Sequence, residues 1–116
     1  MRHHSNVRKF GREKNQRNAL MSSLVRNLIR DSRIQTTTAK AKELRPMIEK
    51  LITKAKNPTV AGRRLVVSTI KGQIETKKLF DTIAPKYKSR NGGYTRIIRM
   101  PNRDLDGSPM ALIELV

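Results

Sequence analysis

The stretch MALIELV (110–116) decides the fold, because apolar residues occupy both of its faces apart from Glu114. Strands that are buried on both faces have this pattern, so we predict a well-buried strand at the centre of a sheet. A second strand is predicted at residues 94–100. The loop PNRDLDGSP that joins the two is rich in turn-forming residues.

Four helices and one more strand are predicted ahead of this pair. Apolar residues recur at helical spacing in residues 18–31, 39–56, 59–71 and 73–84. Residues 33–37 favour a short strand, since threonine and isoleucine suit extended backbone. The order helix, strand, three helices, two strands predicts a two-layer α+β domain. In this α/β packing, the helices cover one face of a small sheet.

Several local features refine this prediction. Thr37 or Thr38 can cap the second helix, and Pro46 inside that helix should kink it or mark a new start. Arg96 and Arg99 are expected on the other sheet face or at its edge. In the first helix, two arginines are expected to project away from the domain, and these are Arg26 and Arg30.

Residues 1–17 contain six Lys or Arg and only one acid, Glu13. Apolar residues are nearly absent, so the segment cannot bury itself. We predict a basic N-terminal arm that becomes ordered on a partner, followed by a single domain at residues 18–116. A solvated tail is the alternative.

Charge points to the kind of partner. Lys and Arg number 26 against nine Asp and Glu, which gives a net charge of +17. A polyanion relieves the self-repulsion of such a chain. Nucleic acid is favoured over an anionic membrane, because no helix has a bulky aromatic face. Aromatic residues make up only 3%, so recognition should use phosphates, 2′-hydroxyls and shape instead of a platform of stacked bases.

Catalytic and metal-binding motifs are not found in the sequence. It has no cysteine and no apolar run long enough to span a membrane, and we expect MRHHSNVRKF (1–10) not to be a secretory signal because it lacks an apolar stretch. His3 and His4 are a poor zinc set, and the calcium-like spacing of Asp104, Asp106 and Gly107 lacks its closing glutamate. No Walker or Rossmann pattern is present. We therefore predict no cofactor, no metal, no catalytic residue and no small-molecule substrate.

The segment SRNGGYTRI (89–97) is the candidate binding loop. Gly92 and Gly93 permit positive φ and close backbone approach, so their N–H groups could grip phosphate. A plain flexible hinge before a strand is the alternative. The flanking residues of the same candidate site are Arg90, Tyr94, Thr95 and Arg96.

A family resemblance runs from Met1 to Val116. It is carried by MRH (1–3), RKFGR (8–12), TTTAKAKELRP (36–46), LITKAK (51–56), RR (63–64), KLF (78–80), SRNGGYTRI (89–97) and PMALIELV (109–116). Together these motifs closely resemble the bacterial family of large-subunit ribosomal protein seventeen, and the combination of SRNGGYTRI with the terminal IELV is the most specific.

The resemblance implies a non-catalytic constituent of the large (50S) ribosomal subunit that binds 23S-type rRNA. It implies a small two-layer fold, a position near the polypeptide exit beside other ribosomal proteins, and a cytoplasmic ribosome in preference to an organellar one. The implied arm contacts are Arg2, His3, Arg8, Lys9, Gly11, Arg12 and Arg17. The implied helix contacts are Lys40, Lys42, Arg45, Arg63 and Arg64, and the implied loop contacts are Arg90, Gly92, Gly93, Tyr94, Thr95 and Arg96.

The chain departs from the family pattern at Gln16, at Phe10 where leucine is usual, and at residues 102–108. Two other functions fit a basic chain. A DNA-compacting protein would need an apolar wedge, for which Phe10 is the only candidate. An RNA-processing enzyme would need an acid, base or metal site, but the acids are dispersed.

Overall fold

A computed structural model of the chain describes residues 8–116, which form a three-stranded sheet with helices on one face. The helices are α1 (Lys14–Asp31), α2 (Thr38–Lys56), α3 (Val60–Ile70), α4 (Gln73–Lys78) and α5 (Ala84–Lys86), with a π-helical stretch at Leu79–Ile83 between the last two. The strands are β1 (Arg33–Thr37), β2 (Thr95–Met100) and β3 (Met110–Leu115). The predicted α+β class and element order are confirmed.

Strand β3 lies at the centre of the sheet, in the order β1-β3-β2, and both pairings are antiparallel. Ile113 stands opposite Ile34 on one side and Ile97 on the other. This row faces the helices, since Ile113 is fully buried. The predicted central position of the last strand is confirmed, but its burial is complete only on the helix side, since Met110, Leu112 and Glu114 on the other face are half-exposed.

The core lies between this sheet face and the apolar stripes of α1 and α2. Val25, Leu28 and Ile29 are fully buried in α1, and α2 contributes the fully buried Leu44, Ile48 and Ile52. The two stripes follow the 3.6-residue period of the sequence, which is why periodicity located these helices.

Two helix boundaries differ from the prediction. Helix α1 begins at Lys14 instead of residue 18, because the segment KNQR contains no helix breaker. Arg17 therefore lies on a helix and not in the arm. The fourth helical segment continues past Pro85 to Lys86. Pro85 cannot donate to the carbonyl four residues earlier, and the π-helical turn that precedes it accommodates this missing bond.

Helix α2 runs through Pro46 without interruption, so the helix does not start anew there. Its N-cap is Thr37, whose side chain accepts a hydrogen bond from the backbone N–H of Lys40 at 3.4 Å. One predicted cap is thus confirmed, and α2 extends as a continuous rod beneath the candidate site.

Arg96 and Arg99 lie on opposite faces of β2, so Arg96 meets the expectation of the other sheet face and Arg99 that of the sheet edge. Arg99 pairs with the buried Ala111 and so lies on the helix side, where it is exposed at the sheet edge. Arg96 pairs with Glu114 on the open face. Residues three apart on a strand necessarily face opposite ways.

Arg26 does not project freely from α1 as predicted. Its Nη1 donates to the carbonyl of Ile70 at 2.8 Å and so satisfies the end of α3. Arg30 is exposed and pairs with Asp31, Nε to Oδ1, at 3.1 Å. The hydrogen bond and charge of this pair lower the pKa of the Asp31 carboxyl and raise that of Arg30.

Candidate nucleic-acid interface

The outward stripe of α2 connects the two regions that sequence analysis singled out. Pro46, Met47, Lys50 and Lys54 follow one another at helical spacing. One end of the stripe faces the arm and the other faces the Gly92 loop. Lys50 lines a cavity at each end, so the arm and the loop adjoin one continuous surface.

The described part of the arm folds back on α2 from residue 8 through a tight turn at residues 9–12. The Arg12 N–H donates to the Lys9 carbonyl at 3.0 Å, and φ is positive at both central residues, +54° at Phe10 and +63° at Gly11. This is the pattern of a type I′ turn. Arg8 fixes the turn to α2, since its Nη1 donates to the Ala39 carbonyl at 2.8 Å.

Several arm and helix cations therefore meet at the start of α2. Arg8 also lies 3.9 Å from Glu43, Nε to Oε1, beside the exposed Lys42 and half-buried Lys40. Arg45 is exposed one turn further along and pairs with Glu49, Nε to Oε2, at 3.5 Å. The structure thus brings arm and helix residues of the prediction together here.

Tyr94 is buried, with 1% of its surface exposed, and it contributes to the lining of the cavity beside Gly92. Its hydroxyl contacts Lys56 Nζ at 2.8 Å, Thr53 Oγ1 at 3.4 Å and the Arg90 carbonyl at 3.2 Å. Hydrogen bonding from Lys56, and then from Thr53, lowers the pKa of Tyr94. Its ring packs 5.1 Å from that of Tyr87, so this aromatic residue anchors the loop in the core.

Thr95 is also buried, at 5% exposure. Its Oγ1 donates to Glu49 Oε2 at 2.9 Å. Arg45, Glu49 and Thr95 therefore form a short polar chain that joins the surface of α2 to the start of β2. Within the candidate loop, Tyr94 and Thr95 hold the backbone in place, and the surface is left to other residues.

Gly92 and Gly93 present backbone at the surface. Their φ values are +101° and +64°, in the region that L side chains rarely adopt. A Cβ at either position would meet nothing within 4 Å. Glycine is therefore required for backbone conformation and not for space, and the open side of this loop is accessible to a ligand. Arg90 beside them is exposed.

Arg96 is exposed on the open face of the sheet but carries a partner. Its Nη1 lies 3.1 Å from Glu114 Oε1, and Glu114 also faces Arg33 Nη1 at 3.9 Å. Because one carboxylate lies between two guanidinium groups, Arg33, Arg96 and Glu114 together carry a net positive charge. Arg96 therefore adds to the positive potential of this face without being an unpaired cation.

Arg63 and Arg64 lie on α3, apart from the α2 stripe, and both are exposed. The Arg63 guanidinium stacks 4.6 Å from the centre of the Phe80 ring. Phe80 in turn lines a cavity with Lys56 and Lys88, near the end of α2. The structure thus connects Arg63 to a second group of cations through one aromatic ring.

Two of the predicted contacts, Arg2 and His3, lie outside the described residues. Sequence analysis also missed three lysines of α2, namely Lys50, Lys54 and Lys56. The motif LITKAK contains Lys54 and Lys56, and Lys50 directly precedes it, but charge alone does not say which lysine is exposed and which is bonded. The spacing of Lys50 and Lys54 from Met47 is the signal that could have placed them on the outward stripe.

Acidic groups in residues 8–116 are engaged with cations or dispersed. No cluster of three or more His, Asp or Glu suited to a metal ion occurs in this part of the chain. In the loop between β2 and β3, Arg103 Nη2 contacts Asp106 Oδ2 at 2.9 Å and the Ser108 N–H donates to Asp106 at 3.1 Å. The hydrogen bond from Arg103, and then those from Ser108, hold the pKa of the Asp106 carboxyl well below its usual range. The calcium-like spacing is thus a closed turn.

None of the described helices combines the length and apolar character that a bilayer crossing needs. These features define a small, basic α+β protein with a row of exposed cations along one helix and two anchored loops beside it.

Comparison with known proteins identifies the particular family. The family model described as ribosomal protein L17 matches residues 20–116, so the chain belongs to the ribosomal protein L17 family. A relative from Mycoplasmopsis agalactiae, named large ribosomal subunit protein bL17, is 52% identical over 114 residues, covering 92% of this chain and 94% of the relative.

Two further relatives carry the same printed name. The protein of Sulfurihydrogenibium sp. is 48% identical over 117 residues, covering all of this chain and 97% of the relative. That of Sphingopyxis alaskensis is 48% identical over 116 residues, covering all of this chain and 84% of the relative. The resemblance read from the motifs is confirmed.

Proposed function

We propose that this chain is a structural, non-catalytic constituent of the large ribosomal subunit and binds the rRNA of that subunit through lysine and arginine contacts with phosphates. The observation that carries the proposal is family membership, together with relatives that are named for the large subunit. As a ribosomal constituent it would act in translation, in the cytoplasm, with other ribosomal proteins near the polypeptide exit as its neighbours.

The charge of the chain supports RNA as the partner. Cations outnumber acids by 26 to nine, and each phosphate neutralised by Lys or Arg releases condensed counterions. This favours association without any catalytic group. It also predicts that affinity depends steeply on salt concentration.

The α2 stripe supports a specific binding geometry. Lys50 and Lys54 are exposed one turn apart, between the Arg8 turn and the Gly92 loop. A turn of α-helix rises 5.4 Å, so the two ammonium groups can contact neighbouring phosphates of one folded strand. The loop N–H groups at Gly92 and Gly93 can approach the same backbone closely. Recognition then depends on RNA shape.

The test measures binding of the full chain to large-subunit rRNA as a function of salt. With six to ten phosphate contacts, affinity should fall about 10³- to 10⁵-fold between 50 and 200 mM salt. The double variant Lys50→Gln/Lys54→Gln should reduce the slope of log affinity against log salt by about two. A matched double variant at two other exposed lysines, Lys77→Gln/Lys86→Gln, should change the slope less.

Circular dichroism of each variant checks that the helices remain folded. If the affinity of the wild-type chain for rRNA did not change with salt, the proposal that phosphate contacts carry the binding would be wrong. Equal slopes for the two double variants would remove the special role of the α2 stripe.

A further inference from the structure

A cavity of about 300 Å³ lies between the arm turn, α1 and α2. Its apolar lining comes from Met21 of α1, Met47 of α2 and Phe10 of the turn. Arg8, Arg17 and Lys50 also line it. The site thus combines an apolar interior, one aromatic ring and three cations.

Hydrogen bonds fix the backbone of the turn that carries Phe10 at this cavity. The Phe10 carbonyl accepts from Arg12 Nη1 at 2.8 Å, the turn closes from Arg12 N–H to the Lys9 carbonyl, and Arg8 bonds to the Ala39 carbonyl of α2. The ring is only half-buried and lies outside the hydrophobic core. A φ of +54° costs free energy for a residue with a large side chain. Packing in the hydrophobic core does not account for a phenylalanine at this position.

The lining selects a ligand with flat apolar faces, polar edges and an attached negative charge. Phosphate alone would leave the methionine and phenylalanine surface unused. A basic or apolar peptide would place nothing opposite the three cations, which face one acid of the lining, Glu43. An unpaired nucleotide satisfies all three requirements, since bases that leave a helix stack on aromatic side chains and bond through their edges.

We infer that this cavity binds one unpaired base of the large-subunit rRNA, stacked on Phe10, with its phosphates held by Arg8, Arg17 and Lys50. The amide of Asn18 and the carboxylate of Glu43 line the same cavity and offer a donor and acceptors to the base edge. The inference rests on the proposed function and names a contact within it. It revises the expectation that base stacking plays no part in recognition. A platform for several bases needs several aromatic rings, whereas one base can stack on the single ring of Phe10.

The experiment compares the wild-type chain with Phe10→Ala, each bound to large-subunit rRNA. Base-specific chemical probes, a methylating reagent for A and C and a carbodiimide for U and G, report the reactivity of accessible unpaired bases. We expect one unpaired base to be protected by the wild-type chain and to regain reactivity with Phe10→Ala, while the protections from contacts along α2 persist. Loss of one stacked base should weaken binding about 5- to 150-fold.

Two further variants sharpen the test. Asn18→Trp changes an exposed helix position at the cavity and should expose the same base by blocking entry. Leu105→Ala removes an apolar side chain that is 95% exposed in a different loop and should leave the base protected. Ultraviolet irradiation of the wild-type complex should join that base to the peptide that contains Phe10.

The possible failures are distinguishable. Failure of the wild-type chain to bind the rRNA overturns the proposed function itself. Binding with normal salt dependence, but with no base whose reactivity depends on Phe10 and Asn18, overturns the base-binding cavity and leaves the proposed function intact.

Discussion

Lys56 is a cation that the fold uses internally. It lies at the last position of α2, where its ammonium group contacts the Tyr94 hydroxyl and donates to the Arg90 carbonyl. A lysine at a helix C-terminus also interacts favourably with the helix dipole. The loop that presents Gly92 and Gly93 is therefore fastened at Arg90 by a helix end and at Tyr94 by the core.

The Lys56→Met variant should raise the pKa of Tyr94, because the hydrogen bond from Lys56 is the largest cause of its lowering. In the wild-type chain Tyr94 should lose its proton first as the pH rises. Tyr87 should follow, since burial raises its pKa. The chain has two tyrosines and no tryptophan, so ultraviolet difference absorbance resolves both steps, and Tyr87→Phe assigns them.

Lys54→Met provides the matched control, because it removes a nearby lysine that is exposed. It should leave the first alkaline step in place. An unchanged first step in Lys56→Met would show that this ammonium group does not hold the Tyr94 hydroxyl, and that the loop is anchored in another way.

Tyr94 shows why the sequence alone does not establish which residues of the loop are buried. Tyr94 stands beside two glycines and among arginines, a setting typical of a binding residue, yet it is buried. Its burial depends on the position of Tyr87 and α2, residues that are distant in sequence. Gly92 and Gly93 were easier to interpret, because their conformational freedom is a property of the residue itself.

At the scale of elements, Pro46 is the feature that the sequence pattern least explains. It sits within α2, where proline lacks the N–H of a regular helical bond. The helix continues because its start is capped and its inner face is buried. Thr37 caps its start, and Leu44, Ile48 and Ile52 bury its inner face. Tertiary packing overrides the local preference of one residue.

Pro46→Ala should stabilise the fold by on the order of 1–2 kcal/mol. Alanine restores the missing helical bond, worth up to about 3 kcal/mol at this position, and the greater freedom of the unfolded chain offsets roughly 0.4–1 kcal/mol of that gain. Urea unfolding followed by circular dichroism measures the change as a shift in midpoint.

Glu49→Ala is a suitable comparison, since it lies on the same helix but breaks the bonds to Arg45 and Thr95 and should lower the midpoint. A lower midpoint for Pro46→Ala would show that the proline ring contributes packing that alanine cannot replace.

Element types were predictable because the apolar period differs between helix and strand. The central position of β3 followed from its apolar residues on both faces. The starts of helices were less predictable: residues 14–17 have neither an apolar stripe nor a breaker, so nothing in their pattern marks a boundary. The cavity under Phe10 was not predictable, since it depends on how the arm folds back on α2.

At the scale of the whole molecule, the charge opposes folding. The described part of the chain measures 42 × 34 × 26 Å, and the Debye length is roughly 30 Å at 0.01 M salt but about 8 Å at 0.15 M. At low salt each cation therefore acts across most of the domain. At physiological salt it acts only on near neighbours. Compaction brings these charges together, so repulsion destabilises the folded state more than the unfolded one.

Salt should consequently stabilise this protein. Raising monovalent salt from 10 to 150 mM should increase the free energy of unfolding by on the order of 1 kcal/mol, because screening weakens repulsion among the excess cations. The same screening weakens ion pairs such as Arg30–Asp31 and Arg103–Asp106. These pairs are exposed and individually contribute little, so repulsion dominates the balance. Urea unfolding suits the measurement, since urea carries no charge.

A neutral osmolyte at matched osmolality does not screen charge, so it should not reproduce the increase in the free energy of unfolding. This control separates charge screening from the general exclusion of solutes from the protein surface. Lys77→Gln/Lys86→Gln, which lowers the net charge by two, should reduce the dependence on salt. A midpoint that falls as salt rises would mean that ion pairs, and not repulsion, govern the stability of the free chain. Binding of the proposed rRNA partner would then not be needed to relieve charge repulsion within the fold.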